Sequence, residues 1–472
     1  MKKKHFLFLT FLLSVIGLFA FEPLPTDQLL MSYLENDLDL QKLTLAAEKA
    51  ELSYDSSKID AGIDVNLATG VINFKTSEKG LSVKTSPTLK VNIPQANNLS
   101  LSTGISINSD KDKVVSDTSI NVGVDIISSN RLSNEVSLLN AERSRNIAIK
   151  NLEEKALDKE KAFYTELKSL LNTINTVIQS QKNYYTDLKN FESVKAKGYS
   201  KSSSTYRTAE IEIFSDKNTI QNQIASLRNE FVMFYKKCGL QIEIADNMNI
   251  MNFIPADIPE VELLDVESFN KENFAELENA KWNYKINSMK RDINKNFSLS
   301  ANAGYTFDNS LTNSDTVNIG VNSTIGGLNL QAGVNIPVIE DPYPSFTLST
   351  SINPNTFRKN SNTKKQNNLS EQQELLDIQI AENNYENFVT SSKQNAEELL
   401  LKKETTEQNY EMYQSLENDM KEWYEKGVVP ESDYLTAIIN ANLYKVKLLI
   451  NDIDFIIYNS DLNKKFITPT QK

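Results

Sequence analysis

Two long stretches of the chain repeat apolar residues at the three- and four-residue steps of an α-helix. The first runs from Arg131 to Lys197 without a glycine or a proline, with Phe163 and Phe191 among its apolar positions. At about 1.5 Å per residue such a helix is on the order of 100 Å long, far beyond a typical globular helix. After a turn at Gly198–Ser204 a similar run leads back, so we predict helices over 131–197 and 205–238 that form an antiparallel hairpin.

The second half of the chain repeats this pattern. It is free of glycine and proline from Asn355 to Lys426, breaks at Gly427–Ser432 and then resumes, which predicts helices over 357–426 and 433–466. Aligning the two turn glycines places apolar residues opposite one another in the return helices: Ala209 and Ile438, Ile220 and Leu449, Ile224 and Ile453, Leu227 and Ile456. We interpret the chain as a tandem duplication.

A period of two residues marks the strands predicted over 61–128 and 297–352. In each block, four segments alternate apolar residues with polar ones. The segments are Ile63–Leu67, Leu81–Ile93, Leu99–Ile107, Ile120–Ile126, Phe297–Phe307, Val317–Ile325, Leu328–Ile336 and Phe346–Ile352. Pro87 interrupts the second of them, because proline cannot donate a ladder hydrogen bond.

These segments suit a membrane barrel. Most have about ten residues, the length of a tilted strand that crosses a bilayer, and alternating apolar and polar faces are typical of outer-membrane barrels. Residues 297–307 also carry aromatic residues at both ends of their apolar face, as membrane interfaces favour. A soluble β-sandwich alternates in the same way, so the pattern admits both architectures.

Shorter helices open the two repeats. The first repeat, residues 21–240, begins with a predicted helix over 26–60, and the second, residues 266–472, with one over 266–295. Residues 241–265 between them are irregular and mildly apolar, and we interpret them as a linker packed on the helices. Each repeat therefore has the plan helix, strands, long helix, tight turn and return helix.

The first twenty residues have the pattern of a secretory signal peptide. Three lysines, Lys2–Lys4, precede an apolar core over Phe6–Phe19 that ends in small residues. The core is too short for a transmembrane helix. We predict cleavage after Ala20, with cleavage after Gly17 as the alternative. The mature protein is therefore exported.

Composition narrows the function classes. The net charge of −12 and the pI near 5.0 argue against a nucleic-acid partner. The only histidine, His5, lies in the signal peptide, and the only cysteine, Cys238, excludes an intrachain disulfide and a cysteine-rich metal site. The carboxylates are scattered along helix faces, where solvated surface is the usual role. We expect no enzyme activity, catalytic residue, metal site or cofactor.

The plan and one short motif resemble the TolC family of outer-membrane efflux channels. The family motif at a hairpin turn is an aromatic residue, a glycine three residues later, an aspartate six beyond that and a leucine two further on. The second turn has all four: Tyr424, Gly427, Asp433 and Leu435. The first turn matches at Gly198 but has Ser204 and Tyr206 in place of the aspartate and the leucine. The order of elements matches over essentially the whole mature chain.

The resemblance implies a fold and a function. The fold is a mixed α and β membrane protein, internally duplicated, in which three copies form a homotrimer. Its strands contribute to a transmembrane β-barrel in outer-membrane lipid, and its coiled-coil hairpins build a hollow α-barrel in the periplasm. The function is passive export in a tripartite efflux or type I secretion system. The implied partners are an inner-membrane transporter and a periplasmic adaptor.

The resemblance also implies site residues. The turns that face the adaptor comprise Gly198, Tyr199, Lys201, Tyr424, Gly427, Val428, Pro430 and Glu431. Asp433 is assigned to the pore constriction, where aspartates from three chains form an acidic ring that attracts cations. Thr436 replaces a second family aspartate one turn on, so the ring is sparser here. The residues alone equally support an N-cap or first-turn role for Asp433, which Glu431 could share.

Several alternatives stay open at this point. The family usually has two strands per repeat, whereas four segments are counted here. Either the barrel takes about eight strands per chain, or the extra hairpins extend outside the membrane or fold over the pore. A periplasmic coiled-coil spacer without a pore is the main alternative function. A surface adhesin or autotransporter-like barrel is less consistent, because it would place its strands in one region rather than two.

Overall fold

The computed structural model of the protein describes most of the chain outside its termini and several turns. The residues it describes are 25–77, 80–110, 113–127, 129–244, 249–255, 257–293, 297–308, 315–326, 328–338 and 343–467. The predicted signal peptide over residues 1–20 and its cleavage site lie outside these ranges.

Seven α-helices lie within the described residues. They are α1 (Thr26–Glu35), α2 (Leu38–Asp60), α3 (Ser129–Ala196), α4 (Ser204–Lys237), α5 (Ala275–Ile293), α6 (Pro354–Glu425) and α7 (Glu431–Lys465). The long helices α3 and α6 and the return helices α4 and α7 lie where their periodicity predicts them. Helical propensity and an uninterrupted apolar stripe suffice to set such bounds, because each helix ends at a local breaker.

The predicted helix over 26–60 is wrong in one respect, because it is divided into α1 and α2. The break falls at Asn36 and Asp37. The Asp37 carboxylate accepts a hydrogen bond from the Leu40 N–H at 2.9 Å, so its side chain caps the first turn of α2. The same carboxylate lies 2.5 Å from Nζ of Lys159 in α3. These side-chain contacts compensate for the backbone hydrogen bonds that the break removes.

The predicted helix over 266–295 begins later than expected, at Ala275. Two short 3-10 turns, Val266–Ser268 and Lys271–Asn273, precede it. Asp265 and Asn270 each accept a backbone N–H two residues on with their side chains. Such local hydrogen bonds compete with helix formation and delay its start. In the linker, Ile250 and Phe253 are buried, as expected of a segment packed on helices.

Ten strands lie within the described residues and form one antiparallel sheet. They are β1 (Asp64–Ala68), β2 (Asn73–Ser77), β3 (Gly80–Thr85), β4 (Thr88–Ile93), β5 (Leu99–Asp110), β6 (Lys113–Ile127), β7 (Phe297–Asp308), β8 (Asp315–Ile325), β9 (Leu328–Val338) and β10 (Ser345–Ile352). The sheet order is β1-β4-β5-β6-β7-β8-β9-β10, with β2 paired to β3 and β3 also to β5. The two repeats join through the pairing of β6 with β7.

The first block has six strands where four segments were predicted, but the extra strands arise from two breaks. β3 and β4 pair with successive parts of β5 and are separated at Pro87, where the ladder cannot continue. β1 and β2 pair with β4 and β3 in the same way and are separated around Gly70, whose φ is +66°. Each interrupted pair occupies one position in the sheet, so the chain fills eight positions.

The chain divides into two compact units. The first comprises residues 1–40, 156–264 and 393–462, and the second residues 41–155, 265–392 and 463–472. The first unit holds the main apolar core, formed by α1, α3, α4, α7 and the linker. Its most deeply buried members are at most 1% exposed and include Phe163, Ile174, Leu227, Phe253, Val446 and Ile453. The second unit holds the sheet.

Candidate functional site

The turn between α3 and α4 is built around Gly198. Its φ of +74° lies in the left-handed region that favours glycine, and its N–H donates to the Lys195 carbonyl at 3.0 Å. Ser203 then caps α4, its hydroxyl accepting from the Tyr206 N–H. The Tyr206 ring packs on Phe191 with a centroid distance of 5.1 Å. The sequence therefore ends one helix and starts the next within a few residues.

The turn between α6 and α7 ends its helix in the same way. Gly427 has a φ of +68° and donates to the Tyr424 carbonyl at 2.9 Å, while the Val428 N–H donates to the Trp423 carbonyl at 2.8 Å. This pair of hydrogen bonds is a Schellman motif. The Tyr424 ring stacks on Tyr434 with centroids 5.2 Å apart, which holds the two helices together beside the turn.

The structure exposes all eight residues assigned to the turns from the sequence: Gly198, Tyr199, Lys201, Tyr424, Gly427, Val428, Pro430 and Glu431. Val428 is the most apolar of them, and 70% of its surface is exposed. All eight lie in the first unit. Their accessibility fits a docking role, which stays a prediction.

Asp433 lies in the first turn of α7, which begins at Glu431 directly after Pro430. Its first-turn position places a carboxylate near the positive end of the helix dipole. Its Oδ1 also lies 2.8 Å from Nζ of Lys189 in α3. This ion pair joins the two repeats close to their turns. The sequence did not indicate it, because 244 positions separate the partners and no local pattern connects them.

A second set of charges, also missed from the sequence, links three helices of the first unit. The Asp454 carboxylate in α7 bonds Lys168 of α3 at 2.5 Å and Lys402 of α6 at 2.8 Å. Its side chain is only 10% exposed. Nearby, Lys403 lies 2.9 Å from Asp452 and 3.1 Å from Glu260. Burial lowers the pKa of the Lys403 ammonium, but these carboxylates outweigh it, so the pKa is raised.

The helices of the first unit form a layer in the order α4, α3, α7, α6. Phe163 of α3 packs on Phe234 of α4, and Asp454 connects α7 to both α3 and α6. The outer helices expose apolar side chains that the layer does not cover. These are Ile211, Phe214 and Met233 on α4, and Leu400, Leu401 and Met412 on α6.

The second unit has an analogous layer in the order α2, α3, α5, α6. Ion pairs connect the neighbours: Arg145 with Glu51, Arg143 with Glu278, and Arg291 with Glu374. Again the outer helices carry exposed apolar stripes. On α2 the stripe is Leu45, Leu52 and Ile59, spaced by seven residues, and on α6 it is Leu369, Leu376 and Ile380. Stripes of this spacing suit helix–helix packing.

The sheet has one apolar face and one polar face. A row of paired residues on the apolar face, taken from β1 to β10, is Val65, Val91, Leu101, Val122, Ala303, Ile319, Val334 and Phe346. The adjacent row on the polar face is Asn66, Lys90, Ser102, Asn121, Gly304, Asn318, Asn335 and Ser345. Apolar-face residues such as Leu101, Ile319 and Phe346 are 47–76% exposed.

The edges of the sheet are β1 and β10. Among the described residues, each has one neighbouring strand position, and no pairing joins the two. Because every pair along the path is antiparallel, β1 and β10 run in opposite directions. A strand equivalent to β10 could therefore continue the antiparallel sheet beside β1.

The described residues include no group of three or more His, Cys, Asp or Glu side chains placed to hold a metal ion. Cys238 is buried at the end of α4. Burial raises the pKa of its thiol to about 12, so the group stays protonated and unreactive at neutral pH.

Two family models match the chain in succession. The TP096X N-terminal domain matches residues 29–258 and the TP096X C-terminal domain matches residues 259–469. The chain belongs to the TP096X family. The boundary between the two TP096X domains, between residues 258 and 259, falls in the linker that separates the two repeats.

Solved structures resemble this TP096X protein over nearly its whole length. The MtrE outer membrane channel of Neisseria gonorrhoeae is 15% identical, with 94% of this chain and 88% of that chain covered and a TM-score of 0.44. The CmeC outer membrane channel of Campylobacter jejuni is 10% identical, with 93% and 85% covered and a TM-score of 0.41. The outer membrane protein VceC of Vibrio cholerae is 12% identical, with 93% and 94% covered and a TM-score of 0.38.

These structures are TolC-family outer-membrane channels, the family that the sequence resembles. No curated protein matches the sequence. Within the residues that the structure describes, none of the helices is both long and apolar enough to cross a membrane.

Proposed function

We propose that the protein is an outer-membrane channel that works as a homotrimer. Three copies close one β-barrel in the membrane, and their helical hairpins extend into the periplasm. Substrates handed over by an inner-membrane transporter and a periplasmic adaptor leave passively through the bore. The system is a tripartite efflux or type I secretion system, and the number of three copies comes from the resemblance to TolC-like channels.

The observation that carries this proposal is the exposed apolar face of the sheet. A continuous apolar surface of this kind is unfavourable in water and marks an interaction site. Apolar side chains on one face with polar side chains on the other are the pattern of a barrel with lipid outside and water inside. Sheets in a bilayer must also pair all their strands, which a single open sheet does not achieve.

Three pairs of open edges support association of identical copies. The sheet ends at β1 and β10, the second-unit layer at α2 and α6, and the first-unit layer at α4 and α6. In each pair, one edge of a copy can meet the other edge of the next copy. Such head-to-tail contacts generate a closed ring when the rotation between copies closes.

The exposed turns support the adaptor-docking role proposed for them. Residues such as Val428 and Tyr199 are apolar or aromatic and accessible, as expected of contacts that a partner covers. Asp433 lies in the first turn of α7, beside the turn that joins α6 to α7. A trimer would bring three such carboxylates together at this point. Lys189 partly offsets this charge, so we propose a weak acidic ring at the constriction.

The experiment that tests the proposal combines extraction, cross-linking and conductance. We expect the protein to remain in the membrane fraction after a high-salt wash, to require detergent and to cross-link to trimers. Purified trimers should form ion-conducting pores in planar bilayers. Release by salt alone, with no conductance, would instead favour the periplasmic coiled-coil spacer.

A further inference from the structure

The number of strands that each chain supplies determines the width of the barrel. β1 with β2, and β3 with β4, each fill one position in the sheet, and β5 to β10 fill six more. The eight positions follow one another in chain order, and β6 to β9 each pair with a strand on either side. The extra hairpins are therefore part of the sheet itself, which favours a barrel of about eight strands per chain over hairpins that fold over the pore.

Barrel diameter grows roughly in proportion to strand number. For strands about 4.8 Å apart and tilted by about 40°, about 24 strands have a backbone diameter of roughly 48 Å, and about 12 strands have roughly 24 Å. Subtracting about 5 Å of side chain on each side leaves a bore of roughly 38 Å or roughly 14 Å. A folded domain of about 100 residues is roughly 30 Å across. Only the wider barrel would admit it.

The polar face of the sheet is suited to lining a wide bore. Most of its side chains are short, and in β8, β9 and β10 none of the residues on this face is charged. They are Thr316, Asn318, Gly320, Asn322, Thr324, Asn329, Gln331, Gly333, Asn335, Pro337, Ser345, Thr347, Ser349 and Ser351. This neutral, hydrated part of the lining neither attracts nor excludes solutes by charge.

Two asparagine side chains of the polar face, in β6 and β7, also lie across the sheet rather than projecting from it. The amide oxygen of Asn121 lies 2.3 Å from where a Cβ of Gly304 would be, and that of Asn302 lies 2.5 Å from the equivalent point of Gly320. These glycines leave room for the neighbouring amide to lie flat. The polar face is therefore thin at these two positions.

We propose that the barrel of this channel has about 24 strands and a wide bore, lined mainly by short polar side chains, that admits bulky hydrated cargo up to the size of a small folded protein domain. This inference rests on the proposed trimeric channel and adds the size class of its cargo. A single chain that closed its own eight positions would instead form a small barrel filled by side chains.

The first test measures polymer partitioning into single trimers. Neutral polymers of increasing hydrodynamic diameter are added to the side opposite the helix turns, so that the constriction does not hide the width of the barrel. Polymers up to roughly 30 Å across should enter and lower the conductance. A cut-off near roughly 15 Å in conducting trimers would overturn the wide bore while leaving the channel function intact. Monomers or non-conducting protein would overturn both.

The second test uses two neighbouring residues of β8 on opposite faces. Asn318→Cys should react with a maleimide attached to a bulky water-soluble polymer, and its conductance should fall without being abolished. Ile319→Cys, on the apolar face, should stay unlabelled in lipid. The native Cys238 is fully buried, so it should not react. Labelling of the protein without an added cysteine gives the background.

The outcomes of this labelling separate the two proposals. If a small maleimide labels Asn318→Cys and the polymer-linked one does not, the bore is narrow and the inference fails. If the polymer labels Ile319→Cys instead, the apolar face does not meet lipid and the proposed function fails. Equal labelling of both positions also contradicts a membrane-embedded sheet.

Discussion

The two turn glycines are required for their backbone angles and not for space. A Cβ built on Gly198 or Gly427 meets no atom within 4 Å, whereas one built on Gly70 meets the Ser86 carbonyl oxygen at 2.3 Å. The turns therefore need only a residue that adopts positive φ. Asparagine tolerates that region better than a β-branched residue does.

This difference predicts graded effects at Gly427. Gly427→Val should destabilise the turn by about 1–2 kcal/mol, because an L-residue is strained at positive φ, whereas Gly427→Asn should have a smaller effect. Export in cells should fall for the valine variant, and cross-linked trimers should persist in the membrane for both. If export is undiminished both in Gly427→Val and in Gly198→Val, the turns are not the docking site.

Asp433 and Lys189 predict opposite effects on ion selectivity. Asp433→Asn removes a negative charge from the constriction, so cation preference in planar bilayers should fall. Lys189→Gln removes the neighbouring positive charge, so cation preference should rise. The Lys189 side chain is 60% exposed, so loss of the ion pair should change stability by less than about 1 kcal/mol. Selectivity that is unchanged in both variants would leave Asp433 as a helix-stabilising carboxylate only.

At the scale of elements, the break between α1 and α2 makes part of the stability depend on pH. Burial raises the pKa of the Asp37 carboxyl, but the hydrogen bonds from Lys159 and the Leu40 N–H outweigh it, so the pKa is lowered. The hydrogen bond to Asp37 raises the pKa of Lys159. A carboxyl with a lowered folded pKa stabilises the fold above its usual value of 3.8, and this contribution is lost as the pH falls through the folded pKa.

We therefore expect acid to weaken the attachment of α2 to α3 at this point. Asp37→Asn keeps a capping oxygen for the Leu40 N–H but removes the charge, so the variant should lose this part of the pH dependence. Thermal unfolding of both proteins across acidic pH measures the difference. Parallel curves for the two would show that the Asp37–Lys159 pair contributes nothing to stability.

Substitutions of two phenylalanines in the same helical layer test the folding of one copy and the association of copies separately. Phe163 is fully buried among the rings of Tyr33, Tyr164 and Phe234, so Phe163→Ala should destabilise the helical unit by about 3–5 kcal/mol. Phe214 on α4 is 66% exposed. Phe214→Ala should leave the helical circular dichroism of one copy unchanged and weaken trimers in detergent. Equal loss of helix in both variants would contradict an interface on α4.

At the scale of the whole molecule, the assembly of three copies into a ring depends on the exposed apolar stripes of the outer helices. Leu52 on α2 is 69% exposed, and the proposed neighbour would bury it. Leu52→Glu should therefore dissociate trimers while each chain stays folded, because an unpaired charge in an apolar contact is unfavourable. Ala46→Glu adds the same charge on an exposed position away from the stripe and should leave trimers intact. The two variants are compared by their yields of cross-linked trimer. Intact Leu52→Glu trimers would contradict an interface between copies at α2.

The sequence by itself determined the elements that local forces set. Apolar periods of 3.6 and two residues defined the long helices and the strands, glycines marked the turns, and their recurrence defined the duplication. Because each of these signals involves only a few neighbouring residues, it can be recognised in the sequence alone. The start of α5 and the break at Asp37 were missed because side-chain hydrogen bonds to the backbone replaced helix there.

Only the tertiary structure decided which distant residues meet. The pairing of β6 with β7 across the two repeats, the single sheet of eight positions and the contacts Lys189–Asp433 and Arg143–Glu278 join residues more than a hundred positions apart. Whether such partners meet depends on chain topology and packing, and no local propensity encodes it. The periodicity already counted eight strand segments, but only the pairing showed that they lie side by side in one sheet, and the width of the proposed barrel depends on this arrangement.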